Sequence, residues 1–175
     1  MAKGRTVMRL MLMRHGEAAY SAPTDAQRPL TMAGALRSLR TGQWMAQTGI
    51  GPGLVLHSPL LRARQTAEQL VEGLATSLTA DAEREWLGPG LSEDALLQTA
   101  REQASTASVA ESSLLVVGHQ PQISVVAGRL VNGGSILFEP GTVACIQFSG
   151  KIAAERGRLE WVLSPYFFSD ANNVE

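Results

Sequence analysis

The chain has a single cysteine, Cys145, so no internal disulfide can form and no multi-cysteine metal site can be assembled. That residue lies in the apolar run "TVACIQF", where a buried structural thiol is expected. Long hydrophobic runs are also missing. No segment approaches the roughly 20 apolar residues that a membrane span needs. Neither sign of charge dominates: Lys+Arg 15 against Asp+Glu 16 leaves a net charge of −1, so nothing global points to nucleic acid or to a membrane surface as a partner. Lysine is scarce, two residues against thirteen arginines. The sequence is also rich in alanine and glycine, so composition accounts for the arginine excess as a whole, and a single arginine acquires a role only from its context. The N-terminus "MAKGRTVMRLMLMR" imitates a signal peptide, with Lys3 and Arg5 ahead of apolar residues. Arg9 interrupts its apolar part, Arg14 closes it, and no clean small-residue cleavage site follows. The expectation is a cytoplasmic protein.

What is present suits one domain covering residues 1–175, without repeat, low-complexity tract or evident linker. An apolar fraction of 45% is that of a soluble globular chain. A domain of this size buries roughly 70% of the surface its unfolded chain exposes, enough for one sizeable core.

Short apolar runs alternate with helical patterns. Val7 to Met13, Leu54 to Leu56 and Leu114 to Val117 are nearly unbroken apolar runs, as strands buried on both faces require. In "SPLLRARQTAEQLVEGLA", Ala63, Ala67, Leu70, Val71 and Leu74 fall on one helical face, with Ser58 available as a cap and Pro59 suited to the first turn. "PLTMAGALRSLRTGQWMAQ" gives a second helix, ended by "GIGPG". "SEDALLQTAREQA" gives a third, capped by Ser92, and "PQISVVAGRLV" a fourth, opening at Pro121 and closing at "NGG". The last third changes character: "TVACIQF" and "RLEWVLSP" flank a polar turn and read as an antiparallel edge pair. The pattern predicts an α/β fold, a three-layer α/β/α sandwich around a mostly parallel mixed central sheet.

In open α/β sheets, ligands bind at the carboxyl ends of the strands. The first strand exits into Arg14, His15 and Gly16. The second exits into "HSPLLRARQT", placing His57, Ser58 and Arg62 just beyond its end. The third exits into Gly118 and His119. Arginine forks match phosphoryl oxygens bidentately, helix N-termini offer N–H groups to the same anion, and a histidine among them can attack phosphorus. No carboxylate-rich metal site competes, and "GIGPG" has neither the spacing nor the lysine of a P-loop. "RHG" alone would occur by chance in on the order of one chain in a hundred. Taken singly, His57 and His119 read as hydrogen-bonding or surface residues and Arg64 as part of a solvated helix face. The convergence of three exits carries the argument.

"LMRHGEA", "RPLTMAG", "SPLLRARQTA", "VGHQP" and "EWVLSP", in that order from about Met11 to about Pro165, resemble the histidine phosphatase superfamily, in particular its small SixA-type phosphohistidine phosphatase branch. The resemblance implies a phosphoglycerate-mutase-like fold and a metal-independent phosphatase without a cofactor. It implies His15 as the nucleophile that receives the phosphoryl group, Arg14 and Arg62 as clamps on its oxygens, and His119 as the second histidine of the pocket. Gly16 and Arg28 are implied as substrate-binding candidates. Tyr20 and Ser21 match no motif. Larger relatives place an acid between the second arginine and the second histidine, where "EREWLGPG" offers Glu85; Glu83 and Glu17 are the neighbouring options. The expected substrate is a phosphoprotein carrying phosphohistidine. A small phosphorylated metabolite on the same machinery, a mutase-type isomerase, and a non-catalytic phosphate- or phosphohistidine-binding module remain as other readings.

Overall fold

The computed structural model describes residues 7–76, 82–106 and 111–168; Lys3 and Arg5 of the signal-like N-terminus lie outside the described residues. Five strands, β1 (Val7–Arg14), β2 (Leu54–His57), β3 (Glu111–Gly118), β4 (Val143–Ser149) and β5 (Arg158–Leu163), form one mixed sheet in the order β2-β3-β1-β4-β5. β3 pairs in parallel with both β1 and β2, while β4 runs antiparallel to β1 and to β5. The expected hairpin is therefore present, with β5 on the sheet edge and a register shift between Cys145 and Ile146.

Helices α1 (Met32–Thr48) and α2 (Leu61–Leu74) cover one face, and α3 (Glu93–Thr106) and α4 (Gln122–Leu130) cover the other. The alternation along β1 makes this visible. Leu10 and Leu12 join the α3/α4 side of the core, and Met11 and Met13 join the α1/α2 side. With both faces covered, an unbroken apolar run is the stable solution for this strand. Cys145 is fully buried beside Val143 and Met11, as expected of a structural thiol, and burial, followed by the nearby Glu160, pushes its pKa up to about 12.

Helix ends follow local chemistry. Thr31 caps α1 by accepting the Gly34 N–H at 3.0 Å, and Ser92 accepts the Ala95 N–H at 3.3 Å ahead of α3. Ser58 is a correction. The helix starts at Leu61, beyond Ser58 and Pro59, and its N-cap Leu60 offers no side chain. The Ser58 hydroxyl is engaged elsewhere: its oxygen accepts the Leu60 N–H at 3.2 Å and it lies 2.7 Å from His119 Nε2.

Candidate active site

The parallel strands β1, β2 and β3 are neighbours, so their carboxyl ends open on one edge of the sheet. The backbone ties these exits together. His15 N–H donates to the Gly118 carbonyl at 3.1 Å, Ser58 N–H to Val117 at 3.1 Å, and Arg14 N–H to Thr142 at 3.0 Å. Arg14, His15, Arg62 and His119 consequently meet. The His15 and His119 rings lie 5.1 Å apart between centroids, and Arg62 Nε–H points at His15 Nε2 from 3.3 Å.

His15 Nδ1 lies 2.7 Å from the carbonyl oxygen of Gly16. A carbonyl only accepts, so the ring carries its proton on Nδ1 and leaves Nε2 as a lone pair facing Arg62. Burial lowers the His15 pKa to about 4, assisted by the charges of Arg62 and Arg14 and opposed by the Gly16 bond. Burial, then His15 and Arg62, takes His119 down to about 3. Both rings are neutral at pH 7.

Two buried nitrogens here have no hydrogen-bond partner, Arg14 Nε and His119 Nδ1. The rest of the Arg14 guanidinium is anchored, with Nη1–H donating to the Phe138 carbonyl at 2.8 Å, and burial lowers its pKa. Buried polar groups are nearly always satisfied, so a pair of orphans beside a neutral histidine marks a place for an acceptor-rich ligand.

Gly16 owes its identity to close packing. A Cβ there would lie 3.1 Å from the Gly34 carbonyl, and one on Gly34 would collide with the backbone of Glu17, so the turn after β1 sits directly on α1. The Gly16 N–H is taken by Thr66 Oγ1 at 2.9 Å. Arg28 reaches the site through Asp25: its Nη1–H donates to Asp25 Oδ1 at 3.1 Å and its Nε–H to the Ala19 carbonyl at 2.7 Å. Asp25, which the sequence reading passed over, also accepts from Arg62, through Oδ2 at 3.0 Å and through its backbone carbonyl at 2.7 Å. The only sequence signal was its place three residues before Arg28 in "DAQRPLT".

The acidic candidates stand apart. Glu85 opens a short 3-10 turn (Glu85–Leu87), is exposed, and makes no side-chain hydrogen bond or ion pair with the four central residues. Glu83 is exposed beside the end of β2, bridged to His57 through the backbone, and Glu17 pairs with Arg37 at 3.2 Å. His57 is buried with Nδ1 2.9 Å from the Ser58 carbonyl, a satisfied hydrogen-bonding residue, and Arg64 pairs with Glu68 on an exposed helix face. Tyr20 is fully exposed, with Arg28 set 5.9 Å from its ring centre. Among the described residues, no group of three or more His, Cys, Asp or Glu side chains is placed to hold a metal ion, and no helix is long and apolar enough to cross a membrane.

Comparison with known proteins gives a consistent picture. The family "Histidine phosphatase superfamily (branch 1)" matches residues 10–103. The phosphohistidine phosphatase SixA of Escherichia coli (strain K12) is 31% identical over 159 residues, covering 90% of this chain and 94% of that protein. A SixA homolog of Haemophilus influenzae is 29% identical over 154 residues, covering 82% and 90%. The solved structure of the protein histidine phosphatase SixA complexed with tungstate superposes with a TM-score of 0.78 at 26% identity, over 90% of this chain and 97% of that one.

Proposed function

Since this chain belongs to the histidine phosphatase superfamily, branch 1, we propose that it removes phosphate from phosphohistidine displayed on a protein, with His15 as the transient phosphoryl acceptor. The observation that carries this reading is the state of His15: a neutral ring, its proton held on Nδ1 by the Gly16 carbonyl, and its Nε2 lone pair turned toward Arg62.

In the first displacement the His15 Nε2 lone pair forms a bond to phosphorus while the bond from phosphorus to the substrate nitrogen breaks. The substrate ring, already protonated on its other nitrogen, departs as neutral imidazole. Phosphorylated His15 is an imidazolium, and the Gly16 carbonyl accepts a stronger hydrogen bond from it. In the second displacement water attacks phosphorus, its proton passes to phosphate or solvent, and His15 departs neutral with Nδ1–H intact. Arg14 and Arg62 hold the phosphoryl oxygens throughout, the main electrostatic contribution. The Ser58 oxygen accepts from Leu60, and among the described residues its O–H has no acceptor other than His119 Nε2, to which it donates. That assigns the His119 proton to Nδ1, the orphaned nitrogen, as a donor to the same oxygens.

A protein-borne phosphohistidine suits the described residues, since only three-residue 3-10 turns (Asp25–Gln27 after β1, Glu85–Leu87 between α2 and α3, Pro165–Phe167 after β5) add to the strands and helices of the core. Exposed Tyr20, Leu137 and Phe167 offer apolar contacts to a partner surface. Glu85 is the proposed donor to ester leaving groups. Phosphohistidine needs it little, because free imidazole has a pKa of about 6.5 and leaves without further protonation. Alkoxides need a positioned acid far more.

The test is a paired turnover assay of wild type and His15→Ala on a phosphohistidine-bearing carrier protein and on an aryl phosphate. The expected result is His15-dependent turnover that strongly prefers the carrier. Equal or faster aryl ester hydrolysis would shift the substrate to a small phosphorylated metabolite. No His15-dependent turnover of either would leave a binding module.

A further inference from the structure

The Arg62 guanidinium is almost entirely buried, its side chain 7% exposed, and its geometry divides it into two working edges. The end of the fork, Nη1 and Nη2, is held by one residue: the Asp25 backbone carbonyl accepts from Nη1–H at 2.7 Å and the Asp25 carboxylate from Nη2–H at 3.0 Å. The side of the fork, Nε–H with the second Nη2 hydrogen, is left over, and Nε–H is aimed at His15 Nε2 from 3.3 Å. A planar fork gripped by one edge has its other edge fixed in direction. The second carboxylate oxygen of Asp25 accepts from Arg28 Nη1–H at 3.1 Å, so the loop between β1 and α1 locks two arginines through one anion. Hydrogen bonds from Arg28 and Arg62 lower the Asp25 pKa, which keeps that anion charged at neutral pH.

We infer that Asp25 is the positioning residue of the phosphoryl site: it grips the end of the Arg62 fork so that the side edge, Nε–H and Nη2–H, meets the phosphoryl group at His15 Nε2. The inference rests on the phosphoryl-acceptor reading of His15. Asp25 touches neither substrate nor phosphorus and acts through Arg62. Its outward position is consistent with that role, since its carboxylate is 64% exposed while the arginine it steers is buried.

Misplacing a clamping group by about an ångström is enough to cost on the order of a hundredfold in rate. The experiment is a double-mutant cycle on the full chain, with Asp25→Ala and Arg62→Lys singly and together, assayed on a phosphohistidine-bearing carrier protein. Lysine has no fork to steer. Expected for Asp25→Ala is a loss of about tenfold or more in kcat with KM changed less than about threefold, and a further loss of less than about twofold in the Arg62→Lys background. Asp25→Asn keeps an amide oxygen for Nη2–H and is expected to recover part of the loss. Should Asp25→Ala fail to fold, Asp25→Asn takes its place in the cycle, with the same non-additivity and a loss of about threefold. An equal loss in both backgrounds, or no loss with Arg62 present, overturns the inference. His15→Ala runs alongside: turnover that survives it removes the reading of His15 itself and this inference with it. His15-dependent turnover indifferent to Asp25 removes this inference alone.

Discussion

Strand β1 carries an arginine near each end, and the two are placed differently. Arg9, toward the start, donates Nε–H to Glu160 at 2.9 Å, and Arg158 approaches the same carboxylate at 3.6 Å. A cavity of about 650 Å³ opens there, lined by these three residues and Trp161. Arg14, at the exit, has no carboxylate within ion-pair distance among the described residues; a backbone carbonyl holds one nitrogen, and its Nε is buried without a partner. At the Arg9 end both arginines are engaged by the Glu160 carboxylate, while the exit holds cations and a neutral histidine with donors left over. Chemistry is expected where hydrogen-bonding capacity is unspent, and a cavity by itself is a weaker indicator.

The most direct way to break this contrast is at the exit. His15→Ala should lower kcat by at least about a thousandfold, since removing a nucleophile removes the covalent route; turnover within tenfold of wild type would contradict it. Next comes the pair of arginines. Arg14→Met should cost about 10²–10³ in kcat, as loss of an oxyanion-type donor does. Arg9→Met should leave kcat unchanged and lower stability by about 1 kcal/mol or less, the usual worth of a partly exposed ion pair. Steady-state kinetics with urea unfolding of both variants checks this, and equal kinetic losses would erase the distinction.

The pH dependence sharpens it further. The folded-state pKa values of His15 and His119, about 4 and about 3, lie below the ordinary 6.5. Between these limits the unfolded chain binds protons that the folded chain does not, so the two neutral rings contribute stability above pH 6.5 that is lost as pH falls toward 4 and 3. The loss should reach roughly 2–3 kcal/mol for His15 by pH 4. Urea unfolding between pH 7.5 and 4.5 reads the slope, which His15→Ala and His119→Ala should each flatten; an unchanged slope in both would contradict the assignment. Smaller still is a contrast between glycines. Gly34→Ala drives a Cβ into the Glu17 backbone in the turn after β1 and should cost about 1–3 kcal/mol, as overpacking does. Gly53→Ala, at the Arg9 end, meets the Ser113 carbonyl at only 3.3 Å and should cost under about 1 kcal/mol. Thermal unfolding of the two separates them, and equal shifts would count against tight packing at the exit.

Sequence alone reached much of the fold and the meeting of the strand exits on one edge of the sheet. The apolar runs marked β1, β2 and β3 because both faces of those strands are buried, and the exits they predicted do converge. Arg14, His15, Arg62 and His119 were legible because each follows closely on a strand end. Ser58 was misjudged because capping chemistry and a hydrogen bond to a distant histidine demand the same hydroxyl, and only the fold brings His119 within 2.7 Å. Asp25 carried little signal for a related reason. It opens a three-residue 3-10 turn too short to show a periodicity, and its partner Arg62 is 37 residues away. The sequence ranked Glu85 by its position between motifs, and its part as a proton donor to ester leaving groups stays a proposal.

The central claim is tested most directly by trapping the intermediate. Wild-type protein mixed with labelled phosphohistidine carrier would be quenched in base within milliseconds, digested under alkaline conditions and mapped by mass spectrometry. An acid-labile phosphoryl group on His15, absent in His15→Ala, is the result this account predicts. Turnover at full rate with His15 never labelled, or with the label on another side chain, would contradict it.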